Sequence, residues 1–202
     1  MSNILVIGFQ RSGTTLLRRL IHAHPNIVHC IHEKRVLNRG DLDNYLTKKL
    51  KLDIDIENDN WGEKVPWYDS SGNVIIDYSN RWLKKFGTKA RILHIIRHPV
   101  DVANSNIKLG WASDSATVIK MHEYSIRNVC TVFKKCARYM EIQFEDLVID
   151  PFVMAKEIFK LCDLDCSDEI VADIVSPGRD KWRYFEGINP DRAFAYKGKK
   201  ST

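Results

Sequence analysis

Residues Ile4 to Ala23 read ILVIGFQRSGTTLLRRLIHA, and the fold follows from how this stretch changes period. Ile4, Leu5, Val6 and Ile7 form an unbroken apolar run, the pattern of a short strand buried on both faces. Gly8 opens a turn and Gly13 closes it. From Thr14 onward Leu16, Leu17, Leu20 and Ile21 fall on one helical face, with Arg18, Arg19 and His22 off it. Pro25 bars continuation of the helix. Strand, glycine-bounded loop and helix together make an anion cradle, because backbone N–H groups and the helix N-terminus converge on one point.

The loop departs from the nucleoside-triphosphate form in one decisive way. That form is GxxxxGK(S/T), with a lysine directly after the second glycine. Here Gly8 to Thr15 reads GFQRSGTT. The glycine spacing is kept, but Thr14 stands in the lysine position, and the cation, Arg11, precedes Gly13 by two residues. The glycines alone are equally compatible with a structural turn. Arg11, Ser12, Thr14 and Thr15 crowded into that turn point to phosphate or sulfate.

These residues resemble the sulfotransferases that use 3′-phosphoadenosine 5′-phosphosulfate (PAPS). The 5′-phosphosulfate loop of that family has the form (K/R)(S/T)GT(T/S), and Arg11-Ser12-Gly13-Thr14-Thr15 matches it throughout. The arginine version, followed by Leu16-Leu17, Leu20 and His24-Pro25, is most similar to the tyrosylprotein sulfotransferases and their bacterial relatives. The resemblance implies that Arg11, Ser12, Gly13, Thr14 and Thr15 bind the donor. Arg11 and the loop N–H groups would stabilise charge building on the leaving phosphate.

Composition is consistent with one domain over residues 1–202. A hydrophobic content of 44% and a charged content of 28% suit a globular chain with a proper core. The net charge of +5 fits a small anionic ligand, and no dense basic run points to nucleic acid. No apolar stretch approaches the roughly 20 residues of a membrane span. The apolar run at Ile4 breaks too soon, at Gly8, for a signal peptide. The five cysteines are odd in number and lack CxxC spacing, so reduced thiols and a cytoplasmic location are expected.

His22, His24, His29, Cys30 and His32 crowd the segment after the first helix, but their spacing matches no zinc pattern, and no metal is expected. The resemblance offers another use. Tyrosylprotein and heparan-type enzymes place a glutamate beyond the His-Pro that ends this helix, where it acts as general base; Glu33 matches it, allowing one inserted residue. Glu33 is equally readable as a solvated charge beside Lys34 and Arg35, and His32 is the alternative base. Arg35 corresponds to a basic residue near the acceptor. Residues 38–73 lack periodic pattern and are expected to be a variable acceptor-side insertion, with Trp61, Trp67 and Tyr68 lining an acceptor or packing as a lid.

Val74-Ile75-Ile76 reads as a second buried strand ending in Asp77-Tyr78-Ser79-Asn80. Heparan-type enzymes end this strand in a Glu-Lys-Ser-like motif, so Tyr78 would replace the lysine, and Asp77 is a third candidate base. Ile92 to Ile96 reads as an interior strand that delivers Arg97, and Pro99 starts a helix. Arg97 to Ser105, RHPVDVANS, matches the family signature RxPxDxxxS, in which the arginine and serine bind the 3′-phosphate. Helices are predicted over 117–137, 152–162 and 168–175, with a strand over Tyr139–Phe144. Pro177 to Arg183 loosely resembles the basic loop that closes the cofactor site, which makes Lys181, Trp182 and Arg183 further cofactor candidates.

Strands alternating with helices imply an α/β fold, a three-layer P-loop-like parallel sheet flanked by helices. The implied activity is sulfuryl transfer from PAPS to a hydroxyl or amine of a small-molecule, glycan or peptide acceptor. It leaves adenosine 3′,5′-bisphosphate and uses no metal. Two other readings remain: a kinase or NTPase with a degenerate loop, and a PAPS-fold binding module without catalysis. Oligomeric state is not legible.

Overall fold

The apolar run that opens the chain becomes β1 (Asn3–Phe9), the middle strand of a five-stranded parallel sheet. The structure, a computed structural model, describes residues 1–176. The other strands among them are β2 (His29–His32), β3 (Trp61–Trp67), β4 (Ala90–Ile96) and β5 (Tyr139–Gln143), in the spatial order β2-β3-β1-β4-β5. β1 pairs with β3 from Asn3↔Trp61 to Phe9↔Trp67, and with β4 from Asn3↔Ala90 to Ile7↔His94.

Parallel strands need crossovers, and helices supply them. They are α1 (Thr14–Ala23), the short α2 (Leu42–Asn44) running into a π-helical turn, α3 (Asn73–Phe86), α4 (Pro99–Lys108), α5 (Ser115–Phe133), α6 (Phe144–Ile149), α7 (Pro151–Leu161) and α8 (Asp168–Val175). The side-chain alternation of β1 feeds two cores. Ile4 and Val6 pack with Leu17, Leu20, Ile21 and Phe159 on one face. Leu5 and Ile7 join Trp61, Trp82 and Val129 on the other. This two-sided burial is why the run carries no polar alternation.

The structure corrects the strand expected at Val74–Ile76. These residues form the first turn of α3, with Gly72 as a left-handed N-cap. Ile75, Tyr78, Trp82 and Phe86 are its buried positions, a helical spacing that overrides the β-branched triplet, and Val74 stays exposed. The missing strand is β3, inside the stretch read as poor in pattern. Glu63 and Lys64 sit in its middle almost fully buried, and Pro66 lies beyond the β2 pairing, which ends at His32↔Lys64. Two buried charges and a proline disguise a central strand.

Trp61 is also corrected as an acceptor-lining candidate, because it is core, edge-on to Trp82 and Phe86. No helix among the described residues is long and apolar enough to cross a membrane.

Candidate active site

Local backbone geometry shapes the turn between β1 and α1. Arg11 (φ 72°) and Gly13 (φ 99°) are both left-handed. A Cβ on Gly13 would lie 2.4 Å from the Phe144 ring, so only glycine fits. Gly13 is the N-cap of α1 and no side chain caps it, leaving first-turn N–H groups for an anion. The buried Ser12 Oγ has no hydrogen-bond partner among the described residues. An orphaned hydroxyl beside an uncapped helix start fits a bound phosphate or sulfate oxygen.

The second signature meets this turn across the sheet. Arg11 Nε donates to Ser105 Oγ at 2.9 Å, and the Arg11 guanidinium lies 5.5 Å from the Trp111 ring centroid. Arg97, just past β4, sends Nη1 toward the Arg11 carbonyl at 3.4 Å and stacks over Phe144 at 4.5 Å. Pro99 holds the first turn of α4, which carries Ser105 alongside. Arg97 and Ser105, far from Arg11 in sequence, are thereby gathered with it at one sheet edge.

The third part of the site comes from β2 and β3. Lys64 is almost fully buried, and its ammonium donates to Thr15 Oγ1 at 3.1 Å, lies 3.0 Å from His32 Nε2 and pairs with the Glu33 carboxylate. Burial lowers the Lys64 pKa, and the hydrogen bond it donates to Glu33 opposes that shift. Burial and then the Lys64 charge lower the pKa of His32. His32 is therefore neutral and suited to accept from Lys64. Thr15 belongs to the cradle helix, so one lysine joins the cradle to both candidate bases.

Sequence reasoning missed this lysine, although its signal was present. A Glu-Lys pair does lie on a strand, at Glu63-Lys64 of β3, and not at Asp77-Tyr78-Ser79, where the sequence reading places the Glu-Lys-Ser-like motif. Asp77 is not at a strand end: it is an exposed α3 residue, 4.0 Å from Arg81. Tyr78 does not replace the lysine either, since it is buried with its hydroxyl on Glu63.

The histidines expected not to hold metal go to separate partners. His22 Nδ1 accepts the Cys30 N–H, and His24 pairs with the Asp165 carbonyl. Lys181, Trp182 and Arg183 lie outside the described residues.

Among the cavities that adjoin the site, which include one lined by Arg97, two are of similar size. One, of about 340 Å³, is lined by Arg35, Val65, Trp67, Tyr78 and Arg81. The other, of about 350 Å³, is lined by Phe9, Gln10, Tyr68, Trp111 and Met121.

A parallel α/β sheet whose C-terminal edge carries an anion cradle, two arginines and a buried lysine defines a nucleotide-dependent group-transfer class. The model of the sulfotransferase family matches residues 3–63 and 79–168, most of the chain, and the chain belongs to that family. It is an enzyme that transfers a sulfuryl group, which removes the kinase and NTPase reading.

Solved structures share the fold at low identity. The sulfotransferase domain of the Synechococcus PCC 7002 olefin synthase is 19% identical, covers 100% of this chain and 89% of its own, and has a TM-score of 0.67. A mouse sulfotransferase complexed with PAP is 17% identical, covers 86% of this chain and 62% of its own, and has a TM-score of 0.59. Retinol dehydratase in complex with androsterone and PAP is 12% identical over 85% of this chain and 62% of its own, with a TM-score of 0.51. No curated protein matches the chain.

Proposed function

We propose that the chain transfers the sulfuryl group of PAPS to the hydroxyl of a small acceptor, with Glu33 as general base and Lys64 as the cation between donor and acceptor. The observation that carries this reading is the Lys64 ammonium, which touches Thr15 of the cradle and Glu33 at once. A cation in that position faces the bond being broken on one side and the base on the other. PAPS supplies an activated sulfuryl group on a good phosphate leaving group.

The protein's share of the work is positioning and charge stabilisation, as in phosphoryl transfer. Arg11, Ser12, Gly13, Thr14 and Thr15 hold the 5′-phosphosulfate, with the α1 N-terminus behind them. Arg97 and Ser105 hold the 3′-phosphate, the arginine offering a planar fork to its oxygens. Glu33 takes the acceptor proton. In the resting arrangement Arg11 lies on Ser105, and donor binding exchanges that hydrogen bond for ones to phosphate. The buried Lys64 also supplies the cation that the Asp77-Tyr78-Ser79 segment lacks.

The test is transfer of labelled sulfate from PAPS to a panel of 4-nitrophenol, androsterone and a tyrosine-bearing peptide. Calorimetry with adenosine 3′,5′-bisphosphate, AMP and Mg-ATP runs beside it. The reading expects transfer and a preference for the bisphosphate. No transfer to any panel member, together with equal affinity for the three nucleotides, would refute it.

A further inference from the structure

Glu63 and Lys64 are consecutive on β3, so their side chains leave opposite faces of the strand. Lys64 reaches the Glu33 carboxylate. Glu63 turns the other way and reaches the backbone that follows Glu33. Its two oxygens accept the Val36 N–H at 3.3 and 3.1 Å, and the N–H groups of Arg35 and Lys34 add to the same interaction. Tyr78 donates its hydroxyl to Glu63 Oε2 at 2.6 Å and accepts the Leu37 N–H at 3.2 Å.

Successive N–H groups wrapped around one anion form a concavity that a turn with left-handed residues produces. Here those residues are Glu33 (φ 54°) and Arg35 (φ 49°), conformations that L side chains rarely adopt. The backbone of residues 33–37 is therefore folded around a carboxyl group that the protein itself supplies.

We infer that Glu63 is a positioning residue for sulfuryl transfer: its carboxylate templates the turn of residues 34–36 and so fixes where Glu33 presents its own carboxylate. The inference rests on Glu33 being the base. A purely packing residue would not need a hydrogen-bonding carboxyl group at this place. An apolar side chain of similar size would fill it without the desolvation cost that raises the Glu63 pKa to about 7. β3 thus holds the base twice, through its side chain by Lys64 and through its backbone by Glu63. Tyr78 extends the hold to α3, the helix that lines the neighbouring cavity.

The experiment compares wild type, Glu63→Gln, Glu33→Gln and the double variant. Glutamine keeps the shape of Glu63 but brings an NH₂ against backbone N–H donors. Single-turnover transfer from PAPS is followed with 4-nitrophenol, or with whichever of the three panel acceptors turns over fastest. Calorimetry with the bisphosphate and amide exchange over residues 33–37 accompany it. Glu63→Gln should lower the transfer rate roughly 10- to 100-fold through misplacement of the base. It should speed exchange in that turn and leave bisphosphate affinity within about twofold. In the Glu33→Gln background it should cost nothing further, because it acts through Glu33.

Wild-type rate in folded Glu63→Gln, an equal loss in both backgrounds, or a loss of bisphosphate affinity as large as the loss of rate overturns the inference. Wild-type rate in Glu33→Gln alone overturns the base assignment instead, which separates the two failures. Should Glu63→Gln not fold, Tyr78→Phe removes one donor and keeps the ring. It should show a smaller loss of the same kind, and unchanged rate and exchange there overturn the inference.

Discussion

The two halves of the proposed site, one for the donor and one for the acceptor, are built in different ways. The donor half, the β1–α1 turn with Arg97 and Ser105, is made of contiguous motifs in which several residues of one short segment act together. The acceptor half, Glu33, Lys64 and Glu63, takes one or two residues from each of two strands and a turn. In the first, backbone geometry is proposed to do most of the binding, and glycines at fixed places are its trace in the sequence. In the second, singly placed side chains are proposed to do the work, and the buried charges Glu63 and Lys64 look in the sequence like surface residues. A nucleotide anion can be met by main-chain N–H groups, whereas a proton and a developing charge need side chains placed singly.

The largest effect expected from this contrast falls on the acceptor half. Glu33→Gln should lower the single-turnover rate about 10²–10⁴-fold while bisphosphate binding stays nearly unchanged. His32→Ala should do much less, since a neutral His32 on Lys64 serves as an acceptor of that lysine's hydrogen bond. If His32→Ala is the slow variant and Glu33→Gln the fast one, the roles are exchanged. On the donor half, Arg11→Ala should cost roughly 10²–10³ in rate, with Arg11→Lys intermediate because the charge survives without the fork. Full PAPS-dependent activity in Arg11→Ala would break the account of the cradle.

Smaller still is the effect at Arg97. Charge-assisted hydrogen bonds to one phosphate are worth about 1.5–3 kcal/mol each, so Arg97→Ala should erase most of the preference for the bisphosphate over AMP in calorimetry. Retention of that preference would remove Arg97 from the 3′-phosphate site.

The smallest effect concerns pH and stability. Burial raises the Glu63 pKa to about 7, with Tyr78 and the Val36 N–H opposing the shift. A raised folded pKa means that the folded chain holds the proton more tightly than the unfolded one. The stability this gives is complete below the ordinary carboxylate range and is lost as pH rises through about 7. Thermal melts from pH 5 to 8 should therefore fall more steeply for wild type than for Glu63→Gln, by on the order of a few degrees. Parallel melting curves would contradict that assignment.

The same contrast explains what the sequence made legible. Gly8, Gly13, Arg11 and the RHPVDVANS segment could be read because each motif is continuous and its spacing is enforced by a turn or a helix start. β1 and β4 were legible as apolar runs. β3 was not, since Gly62, Glu63, Lys64 and Pro66 give it the composition of a loop; only its neighbours β1 and β2 make it a strand. Val74-Ile75-Ile76 misled in the opposite sense, a strand-like triplet held in a helix because Ile75, Tyr78 and Trp82 share one buried face. Glu33 stands out as a candidate by its place after His24-Pro25, whereas its pairing with Lys64 shows only in three dimensions.

Lys64 is where the two halves meet, and Lys64→Met tests the central claim most directly, because methionine fills the buried space without the charge. The measurement is a matched pair on one preparation: the single-turnover rate of sulfuryl transfer from PAPS, and bisphosphate affinity by calorimetry. The account predicts a rate lower by about 10²-fold or more, with affinity changed only a few-fold. A folded Lys64→Met protein that transfers at the wild-type rate would contradict it.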